Sequence, residues 1–252
     1  MAAPTLIAFS SANSGTTGTN SQASATLTWQ TGDVLVCLAG NEGNGSHAWS
    51  APTNTGSGLS WTPQQVHSTT GTDCGVAVWT AVATAGSSGI ITANCPSSAA
   101  MAMGMGVYQF RAQGTDTISV GASQLVTGAT SSPQTGAITM TKVDSSVCWA
   151  AGDWSAHAVE SPSPAATTHG SGAPGPTASP FAQAFSTNYT LYLTELDDET
   201  STGSQSFGYS GTSTGPYTIV VLEVVSTPAA AVVGPQPSFR AIPFMAPQGG
   251  IL

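Results

Sequence analysis

Thr26-Leu27-Thr28-Trp29, then Asp33, then Val36-Cys37-Leu38-Ala39 is a stretch that the chain writes twice. It returns as Ala137-Ile138-Thr139-Met140, Asp144 and Val147-Cys148-Trp149-Ala150, every pair 111 positions apart. Ile7 and Ile118 keep that offset, as do Phe9 and Val120. Further on the offset becomes 114: Trp79-Thr80-Ala81-Val82 matches Leu193-Thr194-Glu195-Leu196, and Val107-Tyr108-Gln109-Phe110 matches Val221-Leu222-Glu223-Val224. A spacing this steady points to two copies of one pattern, and a period near 111 is too long for a solenoid.

The pattern is that of strands. Met101, Met103, Met105 and Val107 alternate with Ala102, Gly104, Gly106 and Tyr108, which is period two with bulk on one face. Residues 34–39 and 219–225 are apolar on both faces and read as central strands covered on both sides. The first copy reads as strands at 5–10, 24–29, 33–40, 60–67, 75–83, 89–94 and 101–111. The second reads as 117–123, 136–141, 145–152, 181–187, 189–197, 204–209 and 217–226. Connectors rich in Gly, Ser, Thr, Asn and Pro supply the turns. The expected fold is all-β, a jelly-roll-like β-sandwich built from two pseudo-repeats, at 1–112 and 113–226, with an extended C-terminal arm at 227–252. Two arrangements fit: tandem sandwiches with separate cores, or two interlocked halves of one larger jelly roll. The connector Ala112-Gln113-Gly114-Thr115-Asp116 is too short for a domain linker and favours the interlocked form.

The arm has another composition. It holds five prolines and closes with Pro237-Ser238-Phe239-Arg240-Ala241-Ile242-Pro243-Phe244-Met245. That is too proline-rich for a helix or central strand and too apolar for an ordinary disordered tail. Phe239, Arg240, Ile242, Phe244 and Met245 are the expected anchor onto another subunit.

Charge narrows the function classes. Arg111, Lys142 and Arg240 are the only basic residues against twelve acids, a formal charge of -9. Phosphate binding needs clustered Lys or Arg, so nucleic acid and anionic membrane surfaces are not expected partners. The charged fraction of 6% is far below the roughly 25% of an ordinary soluble domain. A polar, nearly uncharged surface suits secreted modules and particle components alike, and codon drift in a GC-rich genome also yields it. The start at Met1-Ala2-Ala3-Pro4 lacks a basic leader region, and no apolar run approaches a membrane span, so a cytoplasmic origin or release by lysis is expected. Cys37 and Cys148 read as equivalent buried thiols, while Cys74 and Cys95 flank a hairpin that could bring them opposite each other.

Chemistry is sparsely written. Glu42 with His47 and Asp153 with His157 occupy matching places past the third strand of each copy, but no third ligand accompanies them. Asp197-Asp198-Glu199 is the only acidic run, reads as a hairpin turn, and lacks the alternation of a calcium loop. None of the four histidines has a triad context for a nucleophilic Ser, and no phosphate loop or singled-out carboxylate pair occurs. Neither a catalytic centre nor a cofactor or metal is therefore expected. Trp29, Trp79 and Trp149 lie in apolar strands and read as core. Trp49 and Trp154 fall in loops 41–58 and 153–180 and are the residues that would stack on a glycan.

Gly32-Asp33-Val34-Leu35-Val36, Leu59-Ser60-Trp61-Thr62, Val78-Trp79-Thr80-Ala81, Ile91-Thr92-Ala93 and Val107-Tyr108-Gln109-Phe110 together resemble jelly-roll proteins of actinobacterial phages, the minor tail or virion structural proteins. Similar modules occur in secreted bacterial proteins. The resemblance covers the body to about Val225 and rests on strand patterns with a Gly-Asp lead-in. It implies a non-enzymatic virion component, a minor tail or capsid decoration subunit, with other virion proteins as partners and a homo-oligomeric state. It carries no catalytic residues. A carbohydrate-binding adhesin reading host-surface glycans through the two loops is the alternative, and an enzyme acting on envelope polymer is the third reading.

Overall fold

The computed structural model describes residues 3–14, 18–42, 45–71, 74–96, 102–129, 134–154, 162–163, 181–185, 189–199, 202–209 and 215–229. The first copy supplies β1 (Thr5–Asn13), β2 (Ser21–Ala23), β3 (Leu27–Trp29), β4 (Val34–Asn41), β5 (Gly45–His47), β6 (Ser50–Asn54), β7 (Thr62–His67), β8 (Thr69–Gly71), β9 (Gly75–Val82), β10 (Ser87–Gly89), β11 (Ile91–Asn94) and β12 (Met103–Arg111). The second supplies β13 (Thr117–Gly128), β14 (Gln134–Met140), β15 (Ser145–Asp153), β16 (Pro162–Ser163), β17 (Phe181–Phe185), β18 (Tyr189–Glu199), β19 (Gly203–Tyr209) and β20 (Tyr217–Thr227). The fold is all-β. Each of the fourteen expected strands overlaps an observed one, because period-two burial against a core is what that pattern encodes, whereas the short strands β2, β5, β6, β8 and β16 lie outside all of them.

Each copy forms a large and a small antiparallel layer. The large sheets run β1-β12-β4-β9-β7 and β13-β20-β15-β18-β17, the same order strand for strand. The small layers are β2-β11-β6 with the pair β10-β3 in the first copy, and β14-β19-β16 in the second. In the second copy the strands alternate between layers along the chain, apart from the β17-β18 hairpin within the large sheet; the first copy follows the same path with its small-layer passes split into β2 with β3 and β10 with β11, and with β5 and β8 paired outside both layers. Among the described residues no sheet mixes strands of the two copies. This corrects the interlocked arrangement: each copy closes its own sandwich.

The copies are nonetheless welded. Leu27, Trp29, Leu35, Cys37, Trp79, Ile91 and Met105 fill a core between the first copy's two layers. Ile138, Val147, Trp149, Tyr192, Phe207 and Ile219 do the same in the second. A third core joins the large sheets face to face, with Val34, Val36, Leu38, Val78, Tyr108 and Phe110 against Cys148, Ala150, Leu193, Val220, Leu222 and Val224. The stack therefore has four layers, and both large sheets are covered on both sides. That is why β4 and β20 are mostly apolar and buried almost end to end.

The alternating Met and Gly of β12 now has a reason. Met103, Met105 and Val107 face the outer core, and the small residues face the other copy. A Cβ on Gly106 would lie 3.2 Å from Leu193 Cδ1 and 3.3 Å from Phe9 and Tyr108 ring carbons, so a bare backbone lets the second large sheet approach.

The packing also corrects the repeat register. Val36 and Cys148 both face the central core, as do Leu38 and Ala150, so β4 and β15 correspond at an offset of 112 rather than 111. The positive-φ residues of the preceding turns, Gly32 and Asp144, keep the same 112 offset. By the same test β9 and β18 correspond at 115, whereas β12 and β20 keep 114. A one-residue slip inverts every side chain. Cys37 therefore lies in the outer core and Cys148 in the central one.

With the faces set, β4 packs on β15, β9 on β20, and β12 on β18. Exchanging equivalent strands maps this set onto itself. The copies are related by an approximate twofold axis, as the subunits of an isologous dimer are.

Candidate functional site

Gln30, Thr31, Gly32 and Asp33 make the turn between β3 and β4. Gly32 adopts φ 89°, which only glycine takes without strain, and its α-carbon faces open space. The turn presents Asp33, a carboxylate only 1% exposed in an apolar neighbourhood. Such a group has to be partnered. Its Oδ2 accepts from the Gln30 backbone N–H at 2.8 Å and from Gln109 Nε2 at 2.8 Å. Arg111 adds a two-pronged contact, Nε to Oδ1 and Nη2 to Oδ2, each 2.7 Å. Hydrogen bonding to Asp33 raises the guanidinium above its ordinary value, against the opposing effect of partial burial. Gln109 also donates to the Thr28 carbonyl at 2.9 Å, tying β12 to the small layer.

Arg111 is still 36% exposed, and its open side borders a cleft of about 490 Å³ where the two copies join. The turn 30–33 forms one wall, the connector 112–117 the other, and Val82 and Ile118 give the apolar part of the lining. Asp116 contributes a second carboxylate, which accepts from Ser226 Oγ at 3.3 Å.

The second copy closes the matching turn with a different residue. Asp144, which matches Asp33 only at the sequence offset of 111, takes φ 56° and is partly exposed. Glu223, at the place of Gln109, reaches back instead. It accepts from the backbone N–H groups of Ala122 (2.9 Å), Thr141 (2.9 Å) and Lys142 (3.1 Å), and from the hydroxyls of Thr141 (2.7 Å) and Ser145 (3.0 Å). A bulge in β13 aims the Ala122 N–H inward, and a Cβ on Gly121 would collide with the carboxylate. Burial pushes the Glu223 carboxyl up, but these hydrogen bonds outweigh it and hold the group below its ordinary value.

Other expected sites land elsewhere. Residues 41–58 are not a free loop, since β5 and β6 lie within them. Trp49 is buried in the first copy's outer core, edge-on to Trp79 at 5.8 Å, so it is removed from the glycan surface. Trp154 is half-buried against the central core, and its backbone N–H donates to the Pro216 carbonyl at 2.9 Å. The two tryptophans thus share no platform. His47 is buried at 3% exposure, and its backbone N–H donates to Thr69 Oγ1 at 3.2 Å. Asp153 is buried at the end of β15, while His157 lies outside the described residues. Asp197, Asp198 and Glu199 continue β18 rather than forming a turn. Among the described residues no group of three His, Cys, Asp or Glu side chains is placed to hold a metal.

Cys74 belongs to the central core and Cys95 to the outer one, so the two are not bridged, and all four cysteines are buried thiols outside any disulfide. Burial pushes the Cys95 thiol up to about 11 and raises Cys37 as well, which suppresses the reactive thiolate. The arm residues Phe239, Arg240, Ile242, Phe244 and Met245, and most of 153–180, lie outside the described residues.

Sequence reasoning missed Asp33, Arg111 and Glu223 as partners of a site. One signal was present: Glu223 is a carboxylate inside the doubly covered run 219–225, and a charge there has to be paired. No family model matches the chain, and no curated protein or solved structure matches it either.

Proposed function

We infer that this chain is a non-enzymatic structural subunit of a phage virion, a minor tail or capsid decoration protein, whose C-terminal arm ties a rigid body to neighbouring subunits. The alternation of successive strands between facing layers is consistent with a jelly roll in each copy, an architecture that viral shell proteins use. One observation carries the reading: the third core, which fuses the two copies back to back into a single block. The buried carboxylates Asp33 and Glu223 serve to close turns of that block. The large sheets are covered, and the scarcity of charge leaves a polar surface that loses little solvation when a neighbour covers it. Such a block is suited to bearing load and to being packed against.

The test is a chain ending at Thr227. It should keep the circular dichroism and thermal midpoint of the full protein and be missing from purified particles. Incorporation at the full-length level would overturn the reading.

A further inference from the structure

The cleft beside Arg111 lies where the arm begins. β20 ends at Thr227, which pairs with Thr117 on the cleft wall, and Thr117 Oγ1 donates to the Thr227 carbonyl at 3.4 Å. Ser226 donates to Asp116, another wall residue. Residues 228 and 229 continue outward, exposed. The cleft and the root of the arm are therefore neighbours on every copy of the chain.

Their chemistries are complementary. All twelve acids lie before residue 228, together with two of the three basic residues, Arg111 and Lys142, so the body carries 2 − 12 = −10. The arm holds no acid and one cation, Arg240. Inside the cleft Asp33 and Arg111 neutralise each other, which leaves Asp116 as the surplus charge. Val82, 48% exposed and the most exposed large apolar side chain among the described residues, lines the same cleft. An apolar surface beside one surplus carboxylate suits the arm's aromatic and aliphatic residues flanking a single arginine, and about 490 Å³ is within the range of clefts that seat such groups.

We propose that residues 239–245 of a second copy of this chain dock in the cleft between turn 30–33 and connector 112–117, with Arg240 facing Asp116 and the flanking apolar side chains on Val82. This rests on reading the arm as a tether and names its receptor. Because each root sits at the rim of its own cleft, two copies that meet rim to rim exchange arms over a short span, a closed arrangement that repeats at each contact.

Variants with one added cysteine test it in the full-length protein, whose native thiols are buried. Thr31→Cys places a thiol on the exposed cleft wall, and Ser238→Cys places one on the arm beside Arg240. The two proteins are mixed and mildly oxidised. A mixed covalent dimer is expected in at least tenfold excess over a control pairing Ser238→Cys with Thr53→Cys on the outer sheet. Adding Val82→Glu to the Thr31→Cys chain should cut the yield at least tenfold. In chains without added cysteines, Asp116→Lys and Arg240→Asp should each weaken self-association in light scattering, and the double variant should restore it. No mixed dimer above control overturns the proposal. So does a link that forms only within one chain carrying both cysteines. If the chain ending at Thr227 fails to enter particles while no mixed dimer forms, the tether stands and its receptor is another protein. If the truncated chain enters particles normally, the tether itself fails.

Discussion

Asp33 and Glu223 do one job from two places in the sequence. Each carboxylate accepts the first backbone N–H of a β3–β4-type turn, from Gln30 in one copy and Thr141 in the other, yet one sits in the turn and the other on the last strand. Glu223 is the more deeply committed, with five donors converging on a fully buried side chain. Glu223→Gln should lower stability by roughly 2–3 kcal/mol in chemical denaturation, since buried donors lose a charged acceptor. Its folded value lies below the ordinary carboxyl value of 4.5, so the unfolded chain takes the proton first. The stability it contributes is present above about pH 4.5 and is lost as the pH falls through the folded value. The gap between wild type and Glu223→Gln should therefore narrow between pH 6 and pH 3, and a constant gap would contradict the assignment. Arg111→Lys should cost under about 1 kcal/mol, because the guanidinium is 36% exposed and water replaces part of what it gives. None of these pairings is legible from sequence, since Asp33 and Arg111 are 78 positions apart.

At the scale of elements, the alternation of β12 is legible in the sequence, and its glycines take their meaning only from β18 lying against them. Gly106→Ala requires Leu193, Phe9 and Tyr108 to yield by a few tenths of an ångström. Gly106→Val adds two branches into the same space and should destabilise by about 1–3 kcal/mol, the range for overpacking a close-packed core. If Gly106→Val matches wild type in denaturant midpoint, the sheets are not in contact there. Residues 41–58 read as a loop in sequence because β5 and β6 are short and rich in Ser, Gly, Thr and Asn, so their side chains carry no alternation. Their strand character comes from ladders to β8 and β11. Trp49 followed them into the core.

The whole molecule behaves as two sandwiches that share an interior. Because the central core draws on both copies, neither can lose its large sheet without exposing the other's apolar face. Unfolding should be a single cooperative transition. Leu222→Ala, in that shared core, should cost about 2–5 kcal/mol and lower hydrogen-exchange protection in β4 and β15 together. Ile138→Ala, confined to the second outer core, provides the contrast: if Leu222→Ala loosens the second copy alone, the copies are independent domains. The approximate twofold between them is the geometry of a dimer made permanent by a five-residue connector.

The residues alone establish that the chain is all-β, written twice, with central strands dry on both faces. Alternation and repetition are local properties, and burial imposes them on any sequence that is to pair as a strand. Which face of β4 or β15 meets the partner copy, which carboxylate seals which turn, and whether Trp49 meets solvent are not local. A strand has two faces one residue apart, and only the sheet that settles against it chooses between them.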